Sequence, residues 1–155
     1  MFLVEEEYIR FLRAPCVYLK EKLTFNETYL KTNSDVNYPV FTLGNINLHF
    51  NHYDQTNENV FDKRRQRINW YNLFAVMNTH EPEILEQFDA LPYGKKVCFT
   101  SFQSNLNSAF YIAPKFLKEK NFGLMIGELA KDVVPFSYDV FDMLLYGKKT
   151  PLIDM

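Results

Sequence analysis

Ile46-Asn47-Leu48-His49-Phe50-Asn51 places an apolar side chain at every second position, the period of a strand with one buried face. Beyond it, Thr56 offers an N-cap and residues 57–69 carry helical periodicity. Asn72-Leu73-Phe74-Ala75-Val76-Met77 then reads as an apolar run of strand length, the pattern of a strand covered on both faces. Pro82 stands near the start of a second helix that sets Ile84, Leu85 and Phe88 on one face, and a third strand runs from Lys96 to Phe102. Strand, helix, strand, helix, strand at this spacing predicts parallel βαβ units. The expected fold class is therefore α/β, a small and mostly parallel sheet with helices on both faces.

Working outward, residues 5–23 predict an interrupted helix. Tyr8, Ile9, Phe11 and Leu12 make its apolar face, Pro15 interrupts it, and Cys16, Leu19 and Leu23 carry the stripe on to about Phe25. Residues 26–37 are polar and read as a loop. Pro39 to Leu43 is a short strand, and Gly44-Asn45 offers a turn. Past Phe102, Phe110-Tyr111-Ile112 reads as a further strand and Pro114 as the opening of a short helix that ends near Gly123. Ser137 is the expected cap of a last helix that turns Val140, Phe141, Leu144 and Leu145 inward and stops at Gly147. With no internal repeat and no linker, the 155 residues predict one domain.

Composition narrows the class. Fifteen Phe and ten Tyr can fill a substantial core, and only five Gly and seven Pro argue against disorder. A net charge of −2, with acidic and basic residues interspersed, leaves no footprint for nucleic acid. Cys16 and Cys98 are too few for a disulfide framework and suit a reducing cytosol. Met1-Phe2-Leu3-Val4 runs straight into Glu5-Glu6-Glu7, unlike a signal peptide, and no apolar stretch reaches the roughly 18 residues of a membrane span. The expectation is a cytoplasmic protein.

In open α/β sheets ligands bind beyond the carboxyl ends of the strands. On the parallel reading, those ends carry His52, Tyr53 and Asp54; then Asn78, Thr79, His80 and Glu81; then Ser101 and Gln103. His49-Phe50-Asn51-His52, with Asp54 or His80, can be read as a metal site, yet a strand would turn the two rings apart. The chemistry favoured over it is general acid/base work by His52 oriented by Asp54, with His80 close by; the bland alternative is a structural histidine at a strand edge. On the helix 57–69, Val60, Phe61 and Ile68 form the inward arc, Arg64 falls in its middle, and Arg65 and Arg67 flank it. An arginine there needs a carboxylate or an anionic ligand. A structural ion pair is the plainer reading, and a clamp for phosphate or carboxylate the functional one. Walker A, G-x-G-x-x-G, G-x-S-x-G and D-x-D motifs are all missing from the chain.

Tyr38-Pro39-Val40, Leu43 to Tyr53, Arg64 to Phe74, Phe88 to Tyr93 and Lys96 to Thr100 form a longer series. It resembles a bacterial family of unknown-function domains described as exopolysaccharide biosynthesis proteins, some of them labelled acetyltransferases. The likeness is carried by the patterns IxLHFxHY and RRxRINxxN and is strongest over residues 38–100. The chain departs from the family pattern at Asn45, where the family has Asp, and at Phe61, where it has Trp. The resemblance also implies a chain shortened at its N-terminus, without the family's Cys-Trp-Gly stretch.

What the resemblance and the residues together imply is a transferase acting on activated sugar or acyl donors. His52, Asp54 and His80 are its candidate catalytic residues, and Arg64, Arg67, His49, Tyr53 and Asn78 its candidate substrate-binding residues. The expected ligand is an anionic donor, a nucleotide sugar or acyl-CoA; neither a cofactor nor a metal is assigned. The alternative is a non-catalytic binding or scaffold module that works with a partner protein or as an oligomer.

Overall fold

The computed structural model describes residues 3–30, 37–50, 58–112 and 138–150, and elements are numbered along these. They fall into two compact units, Met1–Tyr71 and Asn72–Met155.

The first unit begins with α1 (Glu5–Arg13), whose first turn holds Glu5, Glu6 and Glu7 and whose last turn holds Arg10 and Arg13. Those charges complement the helix dipole at both ends. Ile9 and Leu12 are its buried face. A single turn, α2 (Pro15–Tyr18), follows with Pro at its first position. The apolar stripe predicted to continue as helix to Phe25 instead enters β1 (Leu23–Leu30), which pairs with β2 (Asn37–Leu43). Much of the polar loop predicted over 26–37 is thus strand. At a sheet edge the backbone ladder forms whatever the side chains, and a register shift between Phe25 and Glu27 takes up Asn26 as a bulge.

β3 (Ile46–His49) brings the main correction. It pairs antiparallel with β2, Leu43 opposite Ile46 and Val40 opposite His49, in a sheet of order β1-β2-β3. A mostly parallel sheet with Ile46–Phe50 as its first strand is therefore not what forms. Gly44-Asn45 closes a two-residue hairpin, and Gly44 sits at φ +62°, the backbone such turns demand. Ile46 and Leu48 are buried as the alternation requires and join Leu23, Phe41, Leu43, Phe50 and Phe61 in one core, but His49 on the opposite face is buried as well.

The hairpin is also tied from outside. Glu7 Oε1 accepts from the Asn47 backbone N–H and from Asn47 Nδ2, each at 3.1 Å. The Tyr18 hydroxyl donates to Asn45 Oδ1 at 2.8 Å, and Arg10 Nη1 to the Asn45 carbonyl at 3.3 Å. An Asp at position 45 would keep the acceptor that Tyr18 uses. Last comes α3 (Glu58–Arg65), shorter than the predicted 57–69.

The second unit keeps the predicted βαβ. β4 (Ala75–Thr79) and β5 (Lys96–Thr100) pair in parallel, with α4 (Pro82–Asp89) between them in the chain. Pro82 stands in the first turn of α4, and Ile84, Leu85 and Phe88 are buried as the periodicity requires. β4 starts later than the apolar run suggested, and it is an edge strand that leaves Val76 exposed rather than covered. β6 (Ala109–Tyr111) adds to β5, again parallel, giving the order β4-β5-β6. The described architecture is thus α/β with one antiparallel and one parallel sheet.

α5 (Val140–Tyr146) is capped by Asp139, whose Oδ1 accepts the Asp142 N–H at 2.9 Å, and stops at Gly147 with φ +64°. Met143 is buried whereas Leu145, expected inward, is half exposed. Ser137 and the segment from Pro114 to Gly123 lie outside the described residues.

An L side chain at the Gly44 backbone angle costs about 1–2 kcal/mol. Gly44→Val should lower the thermal midpoint of the full chain, whereas Asn45→Asp should leave it within a degree or two; scanning calorimetry of both variants checks this.

Candidate functional site

Parallel pairing brings the carboxyl ends of β4 and β5 side by side, Thr79 in register with Thr100. Both threonines are fully buried, and each hydroxyl is used locally. Thr79 Oγ1 accepts from the Glu81 N–H at 3.0 Å, and Thr100 Oγ1 donates to the Phe102 carbonyl at 2.8 Å. These bonds fix how the chain leaves each strand. The next residues, His80 and Ser101, consequently meet, with His80 Nδ1 2.8 Å from Ser101 Oγ. When the imidazole carries its proton on Nε2, the serine hydroxyl donates to Nδ1, the arrangement of a nucleophile and its base. His80 is exposed and Ser101 half-buried, so a substrate can reach both.

Beside this pair the chain does something uncommon. Adjacent parallel strands usually need a dozen or more residues of crossover, but residues 101–108 alone join β5 to β6. Too short for a helix, the segment folds back along the strands. Ser104 Oγ accepts the Leu106 N–H at 3.2 Å, and the Leu106 carbonyl accepts both the Ala109 N–H at 3.2 Å and Lys149 Nζ at 2.5 Å. The result is a cavity of about 480 Å³ lined by Gln103, Ser104, Asn105, Tyr111, Tyr138 and Lys149.

The amino end of β5 is held by charge. Lys96 Nζ donates to the Asp89 and Leu91 carbonyls, capping the end of α4. The Ser108 N–H donates to Asp89 Oδ1 at 2.9 Å. Burial pushes the Asp89 carboxyl up, but Ser108 and the cations Lys96 and Lys149 outweigh it and hold the group below its ordinary 3.8. Burial lowers the Lys149 ammonium, against which the Asp89 charge acts.

Of the residues singled out in the sequence, the structure brings His80 together with Ser101 and keeps Asn78 in β4 two positions before His80. His49 belongs to the antiparallel sheet, buried with its ring 5.9 Å from that of Tyr38. Arg64 and Arg67 are exposed in the first unit. The inward arginine is instead Arg65, whose Nη1 donates to the Leu19 and Glu21 carbonyls at 2.9 and 3.1 Å while Nη2 pairs with Asp62 at 2.9 Å. The helix ends at Arg65, so Ile68 does not belong to the helical face on which the arc was drawn. His52, Tyr53 and Asp54 lie outside the described residues. Among the described residues, no three His, Cys, Asp or Glu side chains gather as a metal site, and no helix is long and apolar enough to cross a membrane. Reading the sequence missed Asn105, Tyr111, Tyr138 and Lys149; the polar run Gln103-Ser104-Asn105 directly after a strand was the available signal.

Fold and site thus define an α/β protein with a histidine–serine pair at the carboxyl edge of a parallel sheet. The chain belongs to the family described as Domain of unknown function (DUF1919), whose model matches residues 1–145. It is also similar to an uncharacterized protein of Haemophilus influenzae, 28% identical over 154 residues, covering 92% of this chain and 68% of that one.

Asp89 carries a sign-definite pH dependence. Its folded pKa lies below the unfolded one, so the charged form stabilises the unit above pH 3.8, and that contribution drains away as the pH falls through the folded value. Asp89→Asn should lower stability at neutral pH, with the gap to wild type closing in acid; denaturant titrations across pH check this.

Proposed function

We propose that this protein is a transferase acting on surface-polysaccharide building blocks, moving an acyl group from an activated thioester donor to a sugar hydroxyl. The observation that carries the reading is the 2.8 Å approach of His80 Nδ1 to Ser101 Oγ at the adjoining ends of two parallel strands. The resemblance to exopolysaccharide proteins, some labelled acetyltransferases, supplies the substrate context.

In this scheme Ser101 Oγ attacks the thioester carbonyl as its proton passes to His80 Nδ1. The C–S bond breaks, and the thiol leaves with that proton. A sugar hydroxyl then attacks the acyl-serine, giving its proton to His80, and Ser101 departs taking the proton back. One imidazole moves one proton in each direction, and the ester ends on the sugar. A nucleotide-sugar donor is the variant of this reading in which His80 activates the acceptor hydroxyl directly and Ser101 only orients the ring.

A non-catalytic binding module is the second reading, favoured by Trp70 and Tyr71, adjacent aromatics that are 42% and 104% exposed.

Acyl transfer from acetyl-CoA to a panel of monosaccharides tests the proposal. His80→Ala and Ser101→Ala should each reduce the rate by about 10²–10⁴-fold, and rapid quench followed by mass spectrometry should find the acetyl group on Ser101. Undiminished transfer by both variants would remove the pair from the chemistry, and a wild-type chain without transfer from acetyl-CoA or nucleotide sugars would favour the binding module.

A further inference from the structure

The short β5–β6 crossover builds a recess whose lining includes neither His80 nor Ser101. At about 480 Å³ it lies within the roughly 300–1,000 Å³ of small-molecule sites. The backbone of the loop is held before any ligand arrives, because Ser104, Leu106, Ala109 and Lys149 are pinned to one another by the bonds that fold it back, while Gln103 and Asn105 stand exposed along it. A preformed backbone spares a ligand the cost of ordering it.

The chemistry of the lining is specific. Among the described residues, the side-chain amides of Gln103 and Asn105 and the Tyr111 hydroxyl have no hydrogen-bond partner, although all three border the same recess. An amide offers donors and an acceptor at once, and a hydroxyl offers both. Sugar hydroxyls require that mixture, and the flat rings of Tyr111 and Tyr138 suit the C–H faces of a pyranose. Lys149 is the one cation among the residues lining it. Its ammonium lies 5.9 Å from the Phe110 ring centroid, donates to the Leu106 carbonyl and feels the charge of Asp89, and its remaining N–H donors can meet an anion in the recess. One lysine matches one anionic group; a diphosphate would meet too little positive charge, and an acyl chain too many polar atoms.

We infer that this recess binds a monosaccharide bearing a single anionic group, a carboxylate or a monophosphate, with Lys149 on the anion and Gln103, Asn105 and Tyr111 on the hydroxyls. Tyr111 is in register with Thr100, the residue before Ser101, and Gln103 follows Ser101 by two. The bound sugar is the acceptor of the acyl group, a role that rests on the transferase reading; the binding itself does not.

The test is titration of the full chain, without any donor, with glucuronate, glucose 6-phosphate, glucose and inorganic phosphate, followed by saturation-transfer NMR and calorimetry. At least one of the two anionic sugars should bind about tenfold more tightly than glucose and phosphate alike, and Lys149→Met should erase that margin. Because Lys149 also holds the loop, a second variant, Gln103→Ala/Asn105→Ala, should weaken the same sugar about tenfold while leaving the thermal midpoint unchanged. Equal affinity for all four probes, no binding by either anionic sugar, or full binding by the double variant overturns the assignment. Ser101→Ala should bind the sugar as wild type does. Binding without transfer therefore sinks only the transferase reading, and transfer without this selectivity sinks only the recess.

Discussion

Two strands that run in the same direction must end on the same side, and the second unit depends on this constraint. The β4–β5 pairing sets Thr79 beside Thr100, and the two buried threonine hydroxyls then steer the chain out of each strand. His80 and Ser101 meet although they are far apart in the chain. Neither helix content nor composition would produce that meeting; a single-residue slip in register would turn one of the two side chains to the opposite face.

The opposite end of the same sheet is organised by charge. Lys96 closes the carbonyls at the end of α4, and Asp89 receives the Ser108 N–H just before β6 begins. Lys149, from beyond α5, reaches the same group electrostatically and the crossover segment by a hydrogen bond. Strand starts, helix end and C-terminal segment are thus joined through a few polar atoms. This fixed base lets the loops at the carboxyl edge carry polar side chains that the fold itself does not consume.

Much of this was legible in the residues. The Ile46–Phe50 alternation, the Pro82 helix with its buried Ile84, Leu85 and Phe88, and the Gly147 stop all follow from period and backbone chemistry. What periodicity does not carry is pairing direction. Ile46–Phe50 looked like the first strand of a parallel set because helices follow it, yet Gly44-Asn45 lies between two strands only two residues apart, and a gap that short permits only an antiparallel hairpin. The same blindness shifted the candidate site. Once β3 joins the other sheet, His49 is a buried residue of that sheet, and among the described residues His80 and Ser101 form an adjoining pair. Arg65, which the projection set beside the arc, is the arginine that bonds the Leu19 and Glu21 carbonyls and Asp62, and the stop of the helix at Arg65 was not marked by charge or apolar spacing.

The abbreviated connection between β5 and β6 also bears on how the unit comes together. Joining distant parts of a chain costs entropy that grows slowly with the length between them. Cys98 meets Ala109 at about half the chain separation at which Ala75 meets Lys96, a saving of about 0.6 kcal/mol in closure. Parallel pairing ordinarily closes over a long detour; here the inner strand β5 and its neighbour β6 are joined by a connection that costs less to close.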